Sequence, residues 1–151
     1  NQFVLLRVAN WYYDGENKAM STQAKEIVRD FVPYCRNKFG MRESCWKIDP
    51  ACKALRMELR LLGIETEKAD NNAHDLKGSR KGIEVGIEYL QSAITDERFF
   101  VVNDESFGCG DFLKEIGMYC VDDNGKPIDA YNHCLDECRY SMNYFYKRYI
   151  L

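Results

Sequence analysis

A chain of 151 residues with 46% apolar and 13% aromatic content, 30% charged residues of interspersed sign and a net charge of −3 has the composition of one soluble globular domain, able to bury roughly 70% of the surface its unfolded form exposes. The slight acidity excludes a protein whose main work is coating nucleic acid, because that affinity comes from neutralised phosphates, and leaves room only for a local basic groove. With no signal peptide, no long apolar run and seven cysteines in an odd set, the expectation is an intracellular, reduced protein with no membrane span.

Residues 2–13, QFVLLRVANWYY, are rich in β-branched and aromatic types and run into the Asp14-Gly15 turn signal, so they predict a strand. Ser21 or Thr22 can cap a helix whose apolar positions Ala24, Ile27, Val28 and Phe31 keep helical spacing until Pro33 kinks or ends it. A polar stretch follows to Gly40. Residues 45–49, CWKID, form a short apolar strand ending in an acidic residue before Pro50, which cannot donate to a ladder but can open a helix. Cys52, Leu55, Leu59 and Leu62 then share one helical stripe, Gly63 supplies a stop, and Ile64 to Thr66 reads as another strand.

Residues 67–79 read as a surface loop that carries His74 and ends in the basic cluster Lys77, Arg80 and Lys81. Ile83, Ile87, Leu90 and Ile94 define an amphipathic helix, and Arg98 to Val102 is a strand or a buried segment. A helix is expected from Phe107 through Ile116. Met118 to Val121 and Pro127 to Ile128 bracket the hairpin signal Asn124-Gly125. Tyr131 to Tyr149, without proline or glycine, is expected to be a long packed helix. No linker or repeat divides the chain, so one domain over residues 1–151 is expected.

Two places carry candidate chemistry. Asp49 stands at a strand's carboxyl end, where open α/β sheets place ligand sites, although an aspartate before Pro50 serves equally well to cap the next helix. His133 and Asp136 are three apart on the final helix and Tyr140 lies two turns from His133, so the imidazole and the carboxylate point one way. Such a pair suits magnesium or manganese, and it is also common on solvated helix faces. Cys134 and Cys138 share a helix face beside His133, but no CxxC pair exists, so buried free thiols are expected in preference to zinc. Lys77, Arg80 and Lys81 can contact phosphates or solvate a loop. Tyr140, Tyr144, Phe145 and Tyr149 read as packing residues, and Glu115 as a helix-surface glutamate.

Residues 132–140, NHCLDECRY, resemble the NDHxxDAxRY signature near the end of the nuclease domain of tailed-phage terminase large subunits, matching at His133, Asp136, Arg139 and Tyr140. Upstream, KIDPACKALRMELRLLGI (residues 47–64) resembles the segment with that family's second catalytic aspartate, and ADNNAHDLKGSRKGIEVGIEYLQ (residues 69–91) the segment that follows it. Glu115 in FLKEIGMYC resembles that family's glutamate before the hairpin, and the order holds from about Phe3 to Tyr140. The resemblance implies an α/β, ribonuclease H-like mixed sheet flanked by helices. It implies a metal-dependent endonuclease that cuts concatemeric double-stranded DNA during genome packaging, in the cytoplasm of a bacterial host. Asp49 and Asp136 would be catalytic, and Asp49, His133 and Asp136 would hold Mg2+ or Mn2+ in a two-ion site. Lys77, Arg80 and Lys81 would contact DNA, and the partners would be the terminase small subunit and the portal protein.

The sequence departs from that family in three ways. The strand with the first catalytic carboxylate is absent before Asn1, Asn132 replaces an aspartate, and Glu137-Cys138 replaces the usual context. QFVLLRVANWYYDG resembles the family's third strand, so the sheet is expected to lack its first strands. The chain would then re-pair its first strand with the Asp49 strand, swap strands with a second copy through unpaired edges, or be a fragment of a longer gene product. An inactive, truncated interaction module of the packaging motor, or a Holliday-junction resolvase-like nuclease, remains the alternative.

Overall fold

Short apolar runs joined by amphipathic helices can pair in parallel only through crossover connections, and both strand pairs among the described residues form that way. The computed structural model describes residues 2–11, 17–42, 46–72, 82–104, 106–118, 122–126 and 133–150. Their order is β1 (Leu5–Arg7), α1 (Met20–Glu26), a π-helical turn (Ile27–Phe31), α2 (Val32–Phe39), β2 (Trp46–Ile48), α3 (Lys53–Leu61), β3 (Thr66–Lys68), α4 (Ile83–Thr95), β4 (Phe99–Val101), α5 (Gly110–Met118), α6 (His133–Phe145) and a second π-helical turn (Tyr146–Ile150). The architecture is mixed α/β. Two compact units compose it, Trp11–Asn71, and Asn1–Asn10 with Asn72–Leu151. Among the described residues no helix is long and apolar enough to cross a membrane.

In the unit Trp11–Asn71 the first helix enters at Ala19, so Ser21 and Thr22 lie inside its first turn and neither is its cap. It also runs past Pro33. The Val32 N–H bonds back to the Ile27 carbonyl, and this wider turn places proline at the start of α2, where its missing donor is tolerated. Gly40, at φ 60°, then ends the helix in the left-handed conformation that glycine adopts without strain. Strands β2 and β3 pair in parallel with Trp46 opposite Thr66 and Ile48 opposite Lys68. The third predicted strand thus starts two residues late, and Ile64 instead enters the core with Ala24, Val32 and Leu59. Of the expected α3 stripe, Leu55 and Leu59 face inward while Cys52 and Leu62 are exposed, because Arg56 takes an inner position.

In the other unit β1 pairs in parallel with β4, Leu5 opposite Phe99 and Arg7 opposite Val101. The strand expected over residues 2–13 is only three residues long, and its hydrogen-bonded neighbour is β4, not the β2 strand that precedes Asp49. Leu5, Phe99 and Val101 pack on the core, whereas Leu6 and Phe100 remain exposed on the opposite face. The helical reading of residues 83–95 holds, but its buried face is Val85, Gly86, Tyr89, Leu90 and Ala93, with Ile83 and Ile94 exposed. Close approach to α6 sets that rotation. A Cβ at Gly86 would lie 2.4 Å from Cγ of Arg139, and one turn on, Tyr89 stacks on Tyr146 with centroids 4.7 Å apart.

Helix α5 begins three residues after Phe107 and retains Met118, which the hairpin reading had placed in a strand. The turn of that hairpin is present. Asp122 Oδ1 accepts the N–H groups of Asn124 and Lys126 at 2.9 Å each, and Gly125 adopts φ 75°. Apart from Met118, the strands expected over Met118 to Val121 and Pro127 to Ile128 lie outside the described residues. Replacing Gly86 with alanine is expected to lower stability by about 1–3 kcal/mol, the cost of overpacking a filled site. Chemical denaturation of the Gly86→Ala protein checks this through a lower midpoint at unchanged slope.

Candidate functional site

Asp49 follows the last residue of β2, as the strand-end reading requires. Its Oδ1 accepts the Ala51 N–H at 2.8 Å while its carbonyl accepts the Cys52 N–H at 2.9 Å. Arg56 donates to the carbonyls of Asp49 (3.3 Å) and Pro50 (3.2 Å), so a buried guanidinium holds the whole turn against the first residues of α3. Asp49 is therefore a turn-former with one carboxylate oxygen committed to the backbone. Arg60 braces the same unit by donating to Thr66 Oγ1 (2.9 Å) and to the Thr66 carbonyl (2.6 Å).

His133 opens α6 on its exposed side, and Asp136 lies one turn later, half-exposed. Asp136 Oδ1 accepts from Arg139 Nη2 at 3.3 Å, and the buried guanidinium lies 4.9 Å from the centre of the Tyr140 ring. An apolar groove of about 230 Å3, walled by Ile87, Leu90, Ile94, Ile116 and Leu135, runs up to Asp136 and Arg139.

Helix α6 is held by residues from two other elements. Arg7 of β1 donates to Glu137 at 2.8 Å and also to Asn10, with its guanidinium 4.8 Å from the centre of the Phe112 ring. Burial opposes the charge on Arg7, but the adjoining Glu137 carboxylate outweighs it, so the guanidinium is held charged beyond its ordinary range. Glu115 of α5 is buried, and its Oε2 accepts the N–H groups of Cys134 (2.7 Å) and Leu135 (3.1 Å). It caps the first turn of α6, correcting the expectation of a surface glutamate.

The donors suit a hard divalent ion in kind: one carboxylate at Asp49 in one unit, and a carboxylate with an imidazole at Asp136 and His133 in the other. Magnesium commonly takes one or two carboxylates and keeps several waters. Among the described residues, however, no three His, Cys, Asp or Glu side chains lie close enough to hold an ion together. The α6 pair is of the kind that suits one hydrated ion, and of the three candidate ligands each unit carries one carboxylate. His74, Lys77, Arg80 and Lys81 lie outside the described residues.

No protein-family model and no curated protein matches the chain. Among solved structures, the large terminase of a thermophilic bacteriophage, in its ADP complex, is similar with a TM-score of 0.62 and 25% identity over 89% of this chain. The same terminase with ATP-gamma-S gives a TM-score of 0.64 at 23% identity. The P22 large terminase nuclease domain gives a TM-score of 0.53 at 18% identity, over 97% of this chain and 81% of that domain. The chain shares its fold with part of that large terminase and with the P22 large terminase nuclease domain. It spans 31% of the length of the thermophilic phage's terminase.

On this terminase fold, residue patterns alone missed the supports of the site. Arg56, Arg139 and Glu115 are buried charged groups; Arg139 stood out only as a match to the terminase-like signature, and Glu115 left a local signal, standing three residues after the buried Phe112 on the same helical face. The thiols follow expectation more closely. Cys109, Cys134 and Cys138 are buried and free, Cys52 is free and exposed, and Cys35 is free and half-buried, while Cys45 and Cys120 lie outside the described residues. Burial pushes the Cys134 and Cys138 thiols up to about 12, with Glu115 adding to the effect at Cys134 and Glu137 at both.

Folded values above the unfolded one mean that these thiols favour the native state below the ordinary thiol range. That contribution is lost as pH rises toward about 12. Alkylation with iodoacetamide at about pH 8.5, read by peptide mass mapping, should modify Cys52 before the other thiols of the described residues. Cys134 and Cys138 should stay unmodified until denaturant is added.

Proposed function

We propose that this chain is the nuclease portion of a phage large terminase, a ribonuclease H-like, metal-dependent endonuclease that cuts concatemeric double-stranded DNA during packaging. The observation that carries the reading is the likeness to the large terminase of the thermophilic bacteriophage, 25% identical over 89% of this chain. The reading places the protein in the cytoplasm of a bacterial host, with double-stranded DNA, the terminase small subunit and the portal protein as partners.

Asp49, His133 and Asp136 would hold Mg2+ or Mn2+, with Asp49 and Asp136 as the catalytic carboxylates. A bound ion would stabilise charge on the phosphate and lower the pKa of an attacking water. The chain's own part is to aim these donors. The Ala51 N–H takes Oδ1 of Asp49 and the Arg139 guanidinium takes Oδ1 of Asp136, which fixes the direction of both carboxylates. Lys77, Arg80 and Lys81 would meet DNA phosphates, giving affinity without sequence preference.

A second reading, an interaction module of the motor without cleavage, draws on the single carboxylate that each unit contributes.

Plasmid nicking in Mn2+ tests the first reading with Asp49→Asn, whose amide oxygen can still accept the Ala51 N–H. Thermal stability should be unchanged while cutting falls about 100-fold or more, several kcal/mol of lost charge stabilisation. Equal cutting by both proteins would remove Asp49 from the site, and no cutting by the unmodified chain would favour the interaction module. The triple alanine variant of Lys77, Arg80 and Lys81 should bind duplex DNA more weakly. Its log–log salt dependence should be shallower by about 0.9 for each phosphate that is no longer neutralised.

A further inference from the structure

The first turn of a helix carries N–H groups with no partner inside the helix, and its positive end favours an anion. In α6 that turn also carries both His133 and Asp136. Two of its N–H groups, those of Cys134 and Leu135, bond to a single oxygen of Glu115, a residue of α5 that is only 6% exposed. A carboxylate withdrawn from water is costly unless hydrogen-bonded, so a buried glutamate aimed at these two amides is a specific arrangement. Later in the same helix, Arg7 grips Glu137 and the Arg139 stem fills the space beside Gly86. Helix α6 is thus tied at successive positions, while His133 is exposed and Asp136 half-exposed.

We propose that Glu115 is the positioning residue for the His133–Asp136 pair. Its cap keeps the first turn helical, and only a helical turn brings side chains three apart onto one face. Its negative charge, bonded to the turn that carries the pair, also favours a cation there. The inference rests on the proposed role of that pair in holding a divalent ion. Outer partners of metal ligands are commonly worth tenfold to a hundredfold in ion affinity, and both effects of Glu115 act in the same direction.

The experiment titrates Mn2+ into the full chain, reading free ion by electron paramagnetic resonance. It uses the unmodified protein, Glu115→Ala, Glu115→Gln and Asp136→Asn, with amide hydrogen exchange at Cys134 and Leu135 measured in parallel. Glu115→Ala should weaken Mn2+ binding about tenfold and expose both amides to exchange. Glu115→Gln keeps an acceptor of the same shape without the charge, so exchange should stay slow while affinity drops about threefold, a fraction of that range. A residue that merely staples α5 to α6 would alter stability and exchange but leave Mn2+ affinity unchanged in a folded variant.

Unchanged affinity in Glu115→Ala alongside a clear loss in Asp136→Asn would overturn the inference and leave the metal reading standing. Should the alanine protein fail to fold, unchanged affinity in Glu115→Gln has the same force. No Mn2+ binding by the unmodified chain, or none lost in Asp136→Asn, would overturn the metal reading, and the role of Glu115 with it.

Discussion

Helix α6 and helix α4 meet with no room for a side chain at Gly86, and much of the unit that carries the His133–Asp136 pair depends on that contact. The missing Cβ lets the Arg139 stem lie flat against α4, which keeps the guanidinium over Tyr140 and within reach of Asp136. The same approach brings Tyr89 onto Tyr146 and turns Val85, Leu90 and Ala93 into the core. Dispersion between closely packed groups is small per pair and large in sum, so one absent methyl group governs the rotation of a thirteen-residue helix.

Around that contact the charged residues have structural roles that their polarity conceals. Arg7, Arg56, Glu115 and Arg139 each reach backbone atoms or an opposite charge from a largely buried position. Buried charges survive only when paired or hydrogen-bonded; Arg56 and Glu115 meet the unpartnered groups of a turn and a helix end, and Arg7 and Arg139 pair with carboxylates of α6. Each candidate ligand therefore sits on a turn that another buried charge braces, Arg56 for Asp49 and Glu115 for the α6 pair.

Much of the fold was legible in local patterns. The 3.6-residue period located α3, α4 and α6, the Asp49-Pro50 junction marked the end of β2, and Asn124-Gly125 marked a turn. What stayed hidden depended on partners distant in sequence. Ile83 and Ile94 keep perfect helical spacing yet face outward, because Gly86 and Arg139 decide which side of α4 is inside. Pro33 reads as a helix end, and the rod continues because the turn before it widens. At the site, residue types and spacing could place Asp49, His133 and Asp136, but pairings such as Glu115 with Cys134 leave no periodic trace. The fold itself is shared with proteins that retain a quarter or less of these residues in common, as expected when burial pattern is preserved more strictly than identity.

The widened turn at Ile27–Phe31 has a further consequence for how this chain can change. An α-helix advances about 100° per residue, so removing one residue from that turn would swing everything on its N-terminal side around the axis. Ala24, which lies with Leu59 and Ile64 in the core, would then rotate out toward solvent, and Pro33 would fall in an ordinary helix interior, where its ring meets the preceding turn. A length change of one residue here should be tolerated far less well than one in the loops, although no ligand or candidate catalytic group lies within the segment. The turn behaves as a phase correction in the helix, and its length rather than its chemistry is what selection would have to keep.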